Sequence, residues 1–250
     1  MTDWKAVIAG LCSSRDGRLA EPARKWLDHS FYAVLITLLL PVVTIPVINS
    51  ITPVPLFAAL FIPQVIQAGI LVWLLLHDDR HIMPKVKLML FLPKPFPVLL
   101  LIKGLFFLIF STIILSSAVL NLAKLAGITL PPQPITVFLA KADPVQFITV
   151  VISAVVFAPI LEEWAFRRVI FGKLATLLSC PAAMILTSFL FSLMHGNILH
   201  APSLFLMGMI LQWVMRRTSS IFCPILIHAM FNLFNLVMIL LARNCQGSIY

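Results

Sequence analysis

Two adjacent glutamates, Glu162 and Glu163, lie in one of the most apolar stretches of this 250-residue chain. The other seven acidic residues lie in predicted tails or loops. Two histidines, His195 and His228, lie in later apolar stretches, and Asn232 follows His228 by one helical turn on the same face. Together, a carboxylate, two imidazoles and a carboxamide could activate a water molecule and stabilise the oxyanion of a tetrahedral intermediate. That combination predicts amide hydrolysis.

The two glutamates have different neighbours. Glu163 and Arg167 are four positions apart, so they share a helix face and could form an internal ion pair. Glu162 points about 100° away from Glu163, and no basic residue lies three or four positions from it. A carboxylate at membrane depth costs about 3 kcal/mol, so Glu162 needs another partner. The residues alone leave open a buried structural network and a catalytic carboxylate.

Counting along the chain indicates that these groups can meet. Glu162 lies 18 residues before a turn centred near Cys180, and His195 lies 15 residues after it. At 1.5 Å per residue, the two stand within roughly 5 Å of the same height. His228 follows a turn near Ser219 by nine residues, so it also enters the membrane interior. The sequence therefore predicts one polar site formed by three helices.

The elements that carry these groups are predicted to be membrane-spanning helices. The chain is 61% hydrophobic and 11% charged, with a mean hydropathy of +1.05, which indicates an integral membrane protein. Its charge-free runs predict an all-α polytopic membrane helix bundle of about seven transmembrane helices, with a range of six to eight. The expected spans lie in 30–76 (two spans), 97–123, 144–161, 174–215 (two spans with a turn at 196–202) and 218–242.

The placement of charge predicts the topology. We expect a basic cytoplasmic tail (1–29), a variable transmembrane region of three helices (30–143), a catalytic core (144–243) and a C-terminal tail (244–250). With the N-terminus in the cytoplasm, twelve basic residues lie on the cytoplasmic side and three on the other. The net charge of +9 thus reflects topology and contact with membrane lipids, and gives no reason to expect nucleic acid. In a prokaryote this would be the inner membrane.

The sequence also bears on alternative catalytic groups. No GxSxG motif or other signature of a serine nucleophile occurs. Two histidines and a glutamate are a ligand set for catalytic zinc, although the HExxH spacing of soluble metalloproteases is absent. An oxyanion role explains Asn232, whereas a zinc site does not. We therefore expect a metal-free site without a cofactor, with zinc as the alternative.

At these residues the chain resembles the CAAX-processing and bacteriocin-processing (CPBP, or Abi) intramembrane proteases. The resemblance covers 159–235, and Ser219 and Phe222 depart from it where glycine and tryptophan are common. Three family motifs match in order: EExxxR at 162–167, FxxxH at 191–195 followed by Gly196, and HxxxN at 228–232.

The resemblance implies an Abi-like helical core and a role for each site residue. Glu162 and His195 would activate the water, and His228 and Asn232 would form the oxyanion hole. Glu163 and Arg167 would be supporting or substrate-orienting groups.

The expected partner is a peptide or membrane-protein substrate that reaches the site from the cytoplasmic half of the membrane. Nothing in the residues distinguishes a prenylated substrate from another. Two alternatives come from other functional classes: a non-enzymatic membrane immunity or scaffold protein, and a proton-coupled transporter. No internal inverted repeat supports the transporter.

Overall fold

The structure is a computed structural model that describes residues 27–39, 62, 64–70, 93, 95–130 and 134–247. Within these residues every regular element is a helix, which confirms the predicted all-α membrane fold. The helices are α1 (Leu27–Leu39), α2 (64–70), α3 (Val98–Leu125), α4 (Pro134–Lys141), α5 (Pro144–Leu177), α6 (Cys180–Met194), α7 (Ala201–Thr218) and α8 (Phe222–Gly247).

Three of the described helices contain a stretch long and apolar enough to cross a membrane: Val98–Leu125, Pro144–Leu177 and Phe222–Leu241. They correspond to three of the predicted spans. Two shorter apolar helices, α1 and α6, accompany them. Most of the region predicted to hold the first two spans, including their prolines at 41, 46, 53, 55 and 63, lies outside the described residues.

Helix α5 is longer than the charge-free run that predicted it. Asp143 begins the helix with a capping box: its side chain accepts from the Gln146 backbone N–H, and the Gln146 side chain accepts from the Asp143 N–H. The helix then continues through the five charged residues of the 161–174 segment to Leu177. The helix accommodates Glu163 and Arg167 inside the bundle because their side chains neutralise each other.

Two π-helical stretches interrupt α5 on either side of the glutamates. They span Ser153–Phe157 and Trp164–Ile170, and the α-helical turn Ala158–Glu163 lies between them. A π-helical turn holds one more residue than an α-helical turn, and such turns occur frequently at functional sites. The side-chain pattern of the sequence did not predict them.

Helices α6 and α7 form the predicted hairpin, with its turn at 195–200. The α6 helix ends at Met194, and Gly196 takes a left-handed φ of +59°. The two helices approach closely, because a Cβ added to Gly208 would lie 2.8 Å from the Ser188 Cβ. Small residues at such a crossing let backbones of membrane helices pack tightly.

In the turn between α7 and α8, Ser219 occupies a position where the family that the sequence resembles commonly has glycine. Ser219 has a left-handed φ of 53°, and its N–H bonds to the Met215 carbonyl at 2.8 Å. Glycine adopts this backbone conformation most readily, so its frequent use here in the family follows from the turn geometry.

The short helix α4 lies between the predicted spans 97–123 and 144–161, outside both of them. Its Leu139 packs in a buried cluster with Val150 of α5 and Leu236 of α8. The main core joins α1, α3, α5, α6, α7 and α8 around fully buried side chains that include Leu108, Phe166, Phe191, Leu211 and Ile227. This core fixes the three helices that carry the site.

Candidate active site

The Glu162 carboxylate is the point at which three helices meet. Its Oε2 atom lies 3.6 Å from Nε2 of His195, the residue directly after α6, and 3.8 Å from Nε2 of His228 on α8. Oε2 is buried and, within the described part of the chain, makes no direct hydrogen bond. The structure thus brings together the three groups that the sequence predicted to converge.

The side chains of the site differ in their exposure. The side chains of Glu162 and His195 are 24% and 30% exposed, whereas that of His228 is 3% exposed and that of Glu163 is fully buried. A substrate therefore reaches Glu162 and His195 first.

Both histidines are held by their Nδ1 atoms. Nδ1 of His195 lies 2.7 Å from the Phe191 carbonyl oxygen, and Nδ1 of His228 lies 3.0 Å from Oε1 of Glu163. A carbonyl and an ionised carboxylate only accept hydrogen bonds, so each Nδ1 carries the proton and donates it. The Nε2 atom of each ring therefore faces Glu162, as an acceptor when the ring is neutral and as a second N–H donor when the ring is doubly protonated.

The end of α6 frees the acceptor that holds His195. Because the helix stops at Met194, the His195 backbone N–H turns to the Ser192 carbonyl at 3.3 Å and leaves the Phe191 carbonyl to the imidazole. The last carbonyls of a helix lack partners within it, and a side chain can supply one. Gly196, with its left-handed φ, permits this ending.

The predicted ion pair between Glu163 and Arg167 is present. Arg167 Nε donates to Glu163 Oε2 at 2.8 Å, and Nη2 lies 3.4 Å from Oε1. Both side chains are fully buried. The sequence left two roles for this pair, and its burial favours the supporting role, because a substrate cannot touch either side chain. The added bond from Glu163 to His228 was not predicted.

Asn232 has a backbone partner that the sequence did not indicate. Its Nδ2 donates to the Ala154 carbonyl at 2.8 Å, in the first π-helical stretch of α5. The neighbouring Ser153 hydroxyl bonds to the Gln64 side chain of α2. A carboxamide nitrogen has two N–H groups, so the bond to Ala154 leaves one N–H available.

His200 lies near the site but outside the spanning helices. Its Nδ1 lies 3.0 Å from the Ser116 hydroxyl of α3, and burial lowers its pKa from the ordinary value.

No three His, Cys, Asp or Glu side chains within the described ranges are placed to hold a metal ion. The metal-free reading stays a prediction, which metal analysis of the purified protein tests.

Comparison with known proteins finds similarity to membrane peptidases over the helices that carry the site. A family model described as type II CAAX prenyl endopeptidase Rce1-like matches residues 144–234. The chain is 34% identical to the putative membrane peptidase YdiL of Bacillus subtilis over 89 residues, 36% of each chain. It is 33% identical to the membrane-embedded CAAX protease MroQ of Staphylococcus aureus over 92 residues, 34% of this chain and 37% of the relative. No solved structure matches the chain.

These matches cover little more than a third of either curated relative. The matched segment contains α5, α6, α7 and the first half of α8, and therefore all six predicted site residues.

Proposed function

We propose that this integral membrane protein, whose residues 144–234 match the model of the Rce1-like type II CAAX prenyl endopeptidases, is an intramembrane endopeptidase of the CPBP family. It hydrolyses peptide bonds of a membrane-associated or lipidated peptide or protein. The observation that carries the proposal is the convergence of the His195 and His228 Nε2 atoms on Glu162 Oε2, at 3.6 and 3.8 Å.

Glu162 and His195 have the geometry to hold the attacking water. Two acceptor atoms 3.6 Å apart can each take one proton of the same water molecule, at about 2.8 Å from its oxygen. The water then directs a lone pair away from both acceptors, toward the carbonyl carbon of the substrate. Glu162 removes one proton as the new C–O bond forms, and returns it to the leaving amine as the C–N bond breaks.

His228 and Asn232 complete the site by stabilising the oxyanion. His228 donates from Nε2 in its doubly protonated form, whose charge the Glu163 carboxylate balances through Nδ1. Asn232 contributes the N–H that its bond to Ala154 leaves available. Removing one such donor in a protease costs about 100- to 1000-fold in kcat.

Arg167 acts at a distance from the substrate. It neutralises Glu163, so that a carboxylate can be retained next to His228 inside the membrane. In this arrangement Glu163 and Arg167 are positioning residues.

The decisive experiment measures peptide cleavage by purified protein in lipid nanodiscs. Two quenched fluorescent peptides ending in a CAAX sequence serve as probes, one with a farnesylated cysteine and one without. Wild-type protein should cleave at least one probe, and Glu162→Gln and His195→Ala should lower kcat by about 100-fold or more. Lys124→Gln, at the far end of α3, is the matched control and should retain activity.

Cleavage that persists in Glu162→Gln would contradict the proposed mechanism. A scaffold protein would show no cleavage with any variant, and a transporter would show proton flux in liposomes that depends on Glu162. Elemental analysis and chelator treatment separate the zinc-dependent version, in which stoichiometric zinc would be present and its removal would abolish activity.

We also infer that the N-terminus lies in the cytoplasm, because twelve basic residues against three then lie on the cytoplasmic side. In a prokaryote the protein would lie in the inner membrane. Substrate would approach from the cytoplasmic half of the membrane. Reaction of a membrane-impermeant thiol reagent with a cysteine placed at either terminus of a cysteine-free variant tests the orientation.

A further inference from the structure

Phe191 on α6 touches both histidines of the site. Its ring is fully buried, with its centroid 4.7 Å from that of His195 and 6.0 Å from that of His228. It is tilted at 53° to the first imidazole and nearly perpendicular to the second. Edge-to-face and tilted contacts at these separations are favourable for aromatic rings. One side chain therefore contacts two imidazoles from different helices.

The same residue has two further links to the site. The Arg167 guanidinium carbon lies 4.9 Å from the Phe191 ring centroid, and the Phe191 carbonyl accepts the His195 Nδ1 proton. On the remaining side, Phe166 packs edge-on against the ring at 5.1 Å. Phe191 is thus fixed by its neighbours and has little freedom to rotate.

Each imidazole needs such a support. A single hydrogen bond at Nδ1 fixes one end of each ring, but the ring can still pivot about that bond and swing its Nε2 atom away. The Phe191 ring packs against both imidazoles and so restricts the rotation of either one toward it. Groups that react must be held within about 0.5 Å and 10–20° of their productive geometry, so this restraint has catalytic consequences.

We propose that Phe191 is the positioning residue that aims both Nε2 atoms at Glu162. The inference rests on the proposed function, because it assigns the task of the two histidines to water activation and oxyanion binding. Phe191 does not touch the substrate, since it is fully buried.

The test compares Phe191→Leu with Phe166→Leu. Both changes remove a buried aromatic ring from the same cluster, but the contacts recorded for Phe166 include no histidine. Phe191→Leu should lower kcat for the cleaved probe peptide by about 10- to 100-fold with KM unchanged, since a misplacement of about 1 Å costs that much. Phe166→Leu should lower kcat less than Phe191→Leu does, because the Phe166 ring supports the imidazoles through Phe191 and not by its own described contacts. Phe191→Met, which replaces the ring with a flexible apolar side chain, should behave like Phe191→Leu and covers the case in which the leucine variant does not fold.

Thermal unfolding of each variant separates loss of structure from loss of alignment. Equal losses of kcat in the Phe191 and Phe166 variants, or an unchanged kcat in Phe191→Leu or Phe191→Met, would overturn the inference. Glu162→Gln is assayed in parallel. If Glu162→Gln is inactive while the Phe191 variants keep full activity, only the role of Phe191 is wrong. If Glu162→Gln cleaves as wild type does, the proposed function fails and the inference fails with it.

Discussion

The Nδ1 atom of His228 lies 3.0 Å from Oε1 of Glu163, a residue 65 positions earlier in the chain and on another helix. This bond extends the buried ion pair with Arg167 into a three-residue chain that ends at His228, next to Glu162. Removal of the charge on Arg167 or Glu163 therefore changes the electrostatic environment of His228 at the other end. The first prediction follows from this coupling.

Glu163→Gln should destabilise the protein by about 3–5 kcal/mol, because it leaves the Arg167 guanidinium buried without a counter-charge. The double variant Glu163→Gln with Arg167→Met should lose less stability than the sum of its two single variants, since neither charge then remains. Thermal unfolding in detergent, followed by circular dichroism, measures each change. Strictly additive losses would show that the two side chains act independently.

Gly208→Ala should separate α6 from α7. The new Cβ would lie 2.8 Å from the Ser188 Cβ and 2.9 Å from its Cα, and a backbone atom cannot yield as a flexible side chain does. Such overpacking costs about 1–3 kcal/mol.

Gly69→Ala is the matched control for Gly208→Ala, because a Cβ there would meet no atom within 4 Å. The control should leave stability unchanged or raise it slightly, since alanine favours the helix. Equal unfolding midpoints for Gly208→Ala and wild type would mean that the close crossing between α6 and α7 does not exist.

Gln212→Leu should preserve or raise stability. Gln212 is fully buried on α7, and neither atom of its carboxamide has a hydrogen-bond partner in the part of the chain that the structure describes. Leaving a buried polar group unpaired costs about 1–3 kcal/mol, and an apolar side chain of similar shape removes that cost.

Gln212→Asn is the control that keeps a carboxamide at this position. If Gln212→Leu lowers the unfolding midpoint more than Gln212→Asn does, the prediction for Gln212→Leu is wrong. Peptide cleavage measured in parallel should stay at the wild-type level, because the contacts recorded for the site residues do not include Gln212.

Acid should weaken the protein through His200. Because burial lowers its pKa below the ordinary 6.5, the unfolded chain binds a proton before the folded protein does. The contribution of neutral His200 to the free energy of unfolding is therefore fully present above about pH 6.5 and is lost as the pH falls through the folded-state pKa. Unfolding midpoints measured from pH 8 to about pH 5 should fall less steeply in His200→Gln than in wild type. Identical slopes would remove His200 as the source of this acid sensitivity.

The meeting of Glu162 with His195 could be predicted because a short turn joins their two helices. When two helices run antiparallel from one turn, the number of residues from the turn fixes the height of each side chain. The π-helical stretch Trp164–Ile170 shortens the α5 arm by about one residue's rise, or about 1.5 Å. That change is smaller than the roughly 5 Å within which the two heights were predicted to agree. The ion pair of Glu163 and Arg167 followed equally from local spacing.

The bonds between distant helices could not be predicted in this way. Whether His228 meets Glu163 depends on the rotation of α8 about its own axis, which packing against α3, α5 and α7 determines. The bond from Asn232 to Ala154 depends on a π-helical stretch that no residue pattern marks. Phe191 was visible as part of a motif, but its contacts with both imidazoles became clear only from the packing.

The placement of partners along the chain also bears on how the protein is inserted into the bilayer. Glu163 finds its counter-charge within α5, so that pair can form as soon as the translocon releases this helix. Glu162 faces groups on α6 and α8, which the ribosome makes later. The Glu162 carboxylate therefore enters the bilayer before the two histidines that it faces, and the three groups can meet only after α8 has been inserted.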